Sequence, residues 1–74
     1  MNALKLRTAR IDKNLSQRQL SYILGVSQPA LSYIERGVIQ ANDDVREIAE
    51  DLLGPVDWKR TYSQGGNQRQ ILNN

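Results

Sequence analysis

The sequence contains no cysteine, no histidine and no phenylalanine, and its four aromatic residues make up 5% of 74 positions. Without cysteine there is no disulfide frame, no thiol nucleophile and no thiolate zinc site. Without histidine there is no imidazole base and no imidazole metal ligand. No catalytic residue, metal-ligand set or cofactor is therefore assigned, and the chain is not expected to be an enzyme. Long hydrophobic runs are missing as well. The first residues intersperse Lys5, Arg7, Arg10 and Lys13 with leucines, so neither a signal segment nor a membrane partner is expected, and the expected location is the cytoplasm. A chain this short makes one domain, with a core near the lower limit for folding without staples.

Charge is present but unevenly divided. Residues 1–40 carry six basic side chains (Lys5, Arg7, Arg10, Lys13, Arg18, Arg36) against two acidic ones (Asp12, Glu35), net +4. Residues 41–58 carry Arg46 against Asp43, Asp44, Glu47, Glu50, Asp51 and Asp57, net −5, and the remainder is net +3. A positive and a negative region are expected, the first suited to a polyanion. The five acids of residues 43–51 fall within one amphipathic segment and read as a solvated helix face.

Strict apolar–polar alternation is absent, while spacings of three and four recur from residue 3 to residue 53, which makes the fold class all-α. The first helix is expected from Asn2 or Ala3 to Lys13, carrying Leu4, Leu6, Ala9 and Ile11, with Asn14 in a left-handed closing position. Ser16 and Gln19 form the Ser-x-x-Gln pattern in which each side chain satisfies the other's backbone donor, so a second helix starts there. Its inner face is read as Leu20, Ile23 and Leu24, and Tyr22 is expected to cover apolar surface with its hydroxyl in water. Gly25 suits a left-handed stop. Ser27 then caps a third helix over residues 28–36, closed by Gly37. The fourth helix begins near Asn42 to Asp44 and is expected to bury Val45, Ile48, Ala49, Leu52 and Leu53, before Gly54-Pro55 ends it. Trp58 reads as a lid on the core. Residues 1–60 are expected to form the domain and residues 61–74 a polar tail.

Two short helices joined by Gly25, Val26 and Ser27 have the helix-turn-helix arrangement, in which the second helix enters the major groove of DNA. At about 3.6 residues per turn, Ala30, Leu31 and Ile34 share one side of the third helix, and Pro29, Ser32, Tyr33 and Arg36 lie opposite. That outward face has one cation and no acid. Gln28 at its start carries an amide able to donate and accept at once, as the N6/N7 edge of adenine requires. Ser32 can do either, and Pro29 offers apolar surface to a thymine methyl.

The stretch LSQRQLSYILGVSQPALSYIERG, residues 15–37, resembles the XRE/Cro family of phage-type repressors through Leu15, Ser16, Gln17, Leu20, Leu24, Gly25, Val26, Ser27, Leu31, Ser32, Glu35 and Gly37. The resemblance extends upstream to Arg10 and downstream to LLGPVDW. It implies a compact lambda-repressor-like domain of four to five helices, whose second and third helices form the helix-turn-helix. It further implies base reading by Ser27, Gln28, Pro29, Ser32 and Tyr33, and a salt bridge from Arg10 to Glu35. Gln17, Arg10, Arg36 and Gln40 are the phosphate candidates. The expected activity is sequence-specific recognition of double-stranded DNA by a transcriptional repressor, acting as a homodimer. The alternative is a protein-binding regulator, an antitoxin or antirepressor, engaging a protein partner through the acidic fourth helix or the tail.

Overall fold

The computed structural model describes residues 3–63. Five helices follow one another: α1 (Leu6–Asp12), α2 (Gln17–Leu24), α3 (Gln28–Glu35), α4 (Asp43–Leu53) and α5 (Trp58–Ser63). The starts of α2, α3 and α4 and the ends of α1 and α2 have local causes. The Ser16–Gln19 capping box is closed by Gln19 N donating to Ser16 Oγ at 3.0 Å and Ser16 N donating to Gln19 Oε1 at 2.8 Å. Ser27 Oγ accepts from Ala30 N at 3.1 Å, and Asn42 Oδ1 accepts from Val45 N at 2.9 Å. Asn14 (φ 59°) and Gly25 (φ 73°) turn the chain after α1 and α2 through left-handed backbone, a conformation open to glycine and tolerated by asparagine.

The core is one cluster drawn from every segment up to residue 56. Leu6, Leu20, Leu31 and Ala49 are fully buried, joined by Ala9, Leu24, Ile34, Ala41, Val45, Leu53 and Val56, with Leu15, Val26, Trp58 and Tyr62 packed partly against it. α2 and α3 pack closely, and α4 packs on α2. Because the buried set is short, each helix has a narrow apolar stripe, and several residues read as inner lie outside it. Ile11 is 50% exposed, Ile23 42%, and Ile48 and Leu52 38% each. The buried faces of α1 and α2 include instead Arg10 and Ser21. Tyr22, expected to cover apolar surface, stands open to solvent at 88% exposure.

Two differences from the sequence reading share one cause. α1 begins at Leu6 rather than at residue 2 or 3, because the backbone before it is engaged elsewhere: Leu4 forms an isolated parallel bridge with Val56, and Asp57 N donates to Leu4 O at 2.8 Å. Thr61, expected to open the tail, is fully buried and joins these two ends. Its Oγ1 accepts from Leu6 N at 2.9 Å and donates to Asp57 O at 2.8 Å, supplying α1 with the N-terminal partner that Lys5 does not provide. Tyr62 follows, its hydroxyl accepting from Ala41 N at 3.0 Å. The packed unit therefore passes the boundary expected at residue 60. The rest of the expected tail, residues 64–74, lies outside the described residues.

Candidate nucleic-acid interface

The turn between α2 and α3 presents α3 with one face inward and one face out. Leu31 and Ile34 anchor the inner face at 0% and 3% exposure. Ala30, read as inner, is half-buried. The outward residues are those the periodicity indicates: Gln28, Pro29, Tyr33 and Arg36 are exposed and Ser32 is half-buried. Pro29 lies in the first turn, where an N–H would have no partner within the helix. Ser27 is exposed, and its oxygen accepts the Ala30 N–H, which leaves its hydroxyl hydrogen and one lone pair for another molecule.

Behind this face sits a buried polar cluster that joins three elements. Arg10 Nε donates to Glu35 Oε2 at 2.7 Å and its NH2 to Oε1 at 3.3 Å, while NH1 donates to Leu15 O at 2.7 Å. The pair is closed to water, with side chains 10% and 2% exposed. Gln17 Nε2 donates to Glu35 Oε1 at 3.0 Å. Arg10, a phosphate candidate from the sequence, thus points its donors inward and serves as a brace between α1, the α1–α2 turn and α3. Gln17 is half-buried. One of its two amide N–H donors holds Glu35 and the other is left for an external acceptor. The sequence suggests Gln17 and the Arg10–Glu35 pair as separate features; the structure makes them one network.

A second pairing has no counterpart in the sequence reading. The Arg36 guanidinium carbon lies 5.1 Å from the centre of the Tyr33 ring, within cation–π range. The signal was available as an i,i+3 spacing of an aromatic and a cation on one helix face. Gln40, exposed in the loop after α3, is the remaining phosphate candidate.

The electrostatics of the region follow from burial. From residue 13 to residue 42 the only acid is Glu35, which is 3% exposed and paired with Arg10. Lys13, Arg18 and Arg36 are all exposed. The outer surface from α2 through the turn to the C-cap of α3 therefore shows water two cations, Arg18 and Arg36, and no carboxylate, while Lys13 closes α1 beside the exposed Asp12. The acids of α4 are mostly solvated, with Arg46 NH2 on Asp43 Oδ1 at 2.6 Å and the Trp58 indole N–H donating to Glu50 Oε2 at 2.8 Å. Among the described residues there is no group of three or more metal-ligating side chains, and no helix is long and apolar enough to cross a membrane.

No curated protein and no solved structure shows significant similarity to the chain. A helix-turn-helix family model matches residues 6–59, from the first residue of α1 into α5 and across the whole α2–turn–α3 unit. With its capped helices, glycine turn and outward polar α3, the chain belongs to the XRE-type helix-turn-helix family of DNA-binding regulators.

Proposed function

We propose that this protein is a sequence-specific transcriptional repressor that inserts α3 into the major groove of double-stranded DNA. The carrying observation is the burial of Glu35 by Arg10, which leaves the helix-turn-helix surface with cations and no exposed acid. Gln28 reads a base at the start of α3, with Ser27, Pro29, Ser32 and Tyr33 beside it. A glutamine amide matches adenine in bidentate fashion, and Pro29 contributes apolar contact to a thymine methyl. Gln17, held by Glu35, Arg36 and Gln40 take phosphates, aided at Gln17 by the positive end of α2.

One such helix reads few base pairs, so the functional unit is a homodimer placing two copies of α3 about 34 Å apart along one face of the duplex. Its site of action is the cytoplasm, where duplex DNA is accessible in a prokaryotic cell. Selection from a randomised duplex library tests the reading. A recovered palindrome with half-sites about 10 base pairs apart supports dimeric recognition, and a log-log salt slope near −0.9 per neutralised phosphate supports the electrostatic component. Gln28→Ala should lose about 1–3 kcal/mol of preference at one base pair. Gln17→Ala should instead weaken all sequences alike. Absence of duplex binding at low salt would overturn the proposal.

A second reading, a protein-binding antitoxin or antirepressor, is favoured by a single feature. Ile48 and Leu52 stand one turn apart on α4, each 38% exposed, beside Asp44 and Asp51. Failure to bind any duplex combined with retention of the fold would move the function to this surface, or to residues 64–74. Truncation after Ser63 separates the two locations.

A further inference from the structure

Tyr33 and Arg36 are assigned above as separate contacts, a base reader and a phosphate ligand. We propose that Arg36 is also a positioning residue for Tyr33, and that the stacked pair, rather than tyrosine alone, sets the preference for a base pair presenting a thymine methyl. This inference rests on the DNA-binding reading of α3. Both backbone anchor points are fixed: Tyr33 lies in the last turn of α3 and its carbonyl accepts from Val38 N at 2.8 Å, while Arg36 is the C-cap residue, its N–H donating to Ser32 O at 3.0 Å. The guanidinium sits over the ring at 5.1 Å. Among the described residues no carboxylate forms an ion pair with Arg36, so the ring is the contact the structure gives this cation.

A tyrosine on a helix has two accessible χ1 rotamers, at about 180° and about −60°. A cation over one face of the ring favours the orientation that keeps the stack and closes that face to anything else. The ring, 44% exposed, then presents its other face, its edge and its hydroxyl. An apolar edge suits the thymine C5-methyl, and the hydroxyl suits an adjacent acceptor on the same groove floor. A planar guanidinium over a ring can present its face to it and keep its edge N–H groups for a phosphate. Lysine carries the same charge without that planar face, which makes Arg36→Lys the informative variant.

The test uses the full chain and duplexes recovered from a randomised library. Tyr33→Ala identifies the base pair concerned as the one whose preference it abolishes, and that pair should carry thymine. Arg36→Lys keeps the charge, so the salt slope should hold, while affinity for the duplex carrying thymine at that pair should fall about two- to fivefold more than affinity for the duplex in which that pair is replaced, the factor corresponding to an exposed cation–π contact. In the Tyr33→Ala background the same substitution should leave the ratio of affinities for those two duplexes unchanged. In the free protein, Arg36→Lys should increase averaging of the Tyr33 χ1 couplings measured by NMR. An unchanged thymine preference in Arg36→Lys, an equal loss with or without Tyr33, or unaltered χ1 couplings would overturn the positioning role while leaving DNA recognition standing. No duplex bound by the unsubstituted chain would overturn both.

Discussion

Arg10→Met isolates the brace behind α3. Methionine has similar length and no charge, so the substitution fills most of the same space. In the folded state Glu35, 3% exposed, would keep the Gln17 amide at 3.0 Å but lose the guanidinium bonds at 2.7 and 3.3 Å, and the Leu15 carbonyl would lose its donor at 2.7 Å. Removing one partner of a buried ion pair costs about 3–5 kcal/mol, because a charge stays behind in a poorly solvated place. The surviving Gln17 bond puts this case near the lower end, about 3 kcal/mol. A core of this size supplies only ~3–5 kcal/mol in total, so Arg10→Met should be substantially unfolded at 25 °C. Arg10→Met/Glu35→Leu should recover most of the loss, since an apolar pair of similar volume is often as stable as a buried ion pair. Urea titration followed by far-UV circular dichroism gives the double variant's difference from its midpoint at constant slope, and the single variant's from the folded fraction that remains without urea. A loss below about 1 kcal/mol in the single variant, or a double variant no more stable than the single, would contradict the argument. The double variant, once folded, should also bind all duplexes more weakly, because Gln17 has lost its anchor.

Thr61→Val keeps the shape of the buried side chain and deletes the acceptor for Leu6 N. An unsatisfied buried donor costs about 1–3 kcal/mol, a fall in Tm of roughly 4–8 °C per kcal/mol for a domain of this size. Thr61→Ser should fall less, and the reverse order in thermal melts would remove the hydroxyl from the account. Gly25→Ala meets no atom within 4 Å of the added Cβ but must adopt φ 73°. It should therefore lose about 1–2 kcal/mol through backbone strain alone, and a neutral Gly25→Ala in urea titration would show that the turn can relax.

The parts of the fold that a linear reading reaches are those with local causes. The Ser16–Gln19 box, the Ser27 and Asn42 caps and the left-handed stops at Asn14 and Gly25 are each decided within a few residues, and the structure has them in place. The outward face of α3 was legible for the same reason, being a matter of 3.6-residue periodicity. What the periodicity misjudged is how wide a stripe each helix can bury. In a core this small Ile23, Ile48 and Leu52 fall at the edge of their stripes, and the place one would give to an isoleucine near the α1–α3 contact is held by Arg10 and Glu35. The late start of α1 and the burial of Thr61 were out of reach for a different reason. Both depend on a contact spanning 55 residues, and nothing near Leu4 or Thr61 announces it. Tyr33 and Arg36 lay between these cases: their spacing was visible, but reading them one at a time hid the stack.

If α3 enters the groove as proposed, the burial of Glu35 links stability to recognition through a single side chain. A helix in that position would be opposed by an acid on its surface; α3 carries one, and that carboxylate is turned inward onto Arg10. The pair leaves the net charge of the region as it was, because it removes one charge of each sign from the surface. What changes is the distribution: from α2 to the C-cap of α3 the exposed cations Arg18 and Arg36 face solvent with no exposed carboxylate between them. Glu35→Gln would remove the acid without reproducing this arrangement, since it leaves Arg10 buried with neutral partners and weakens the hold on Gln17. Its effect on DNA affinity should therefore be a loss, opposite in sign to what simple removal of a negative charge near a phosphate backbone predicts. Titrating folded Glu35→Gln against a fixed duplex at two salt concentrations separates these expectations, and a gain in affinity would mean that Glu35 acts on DNA as a charge rather than through the residues it holds.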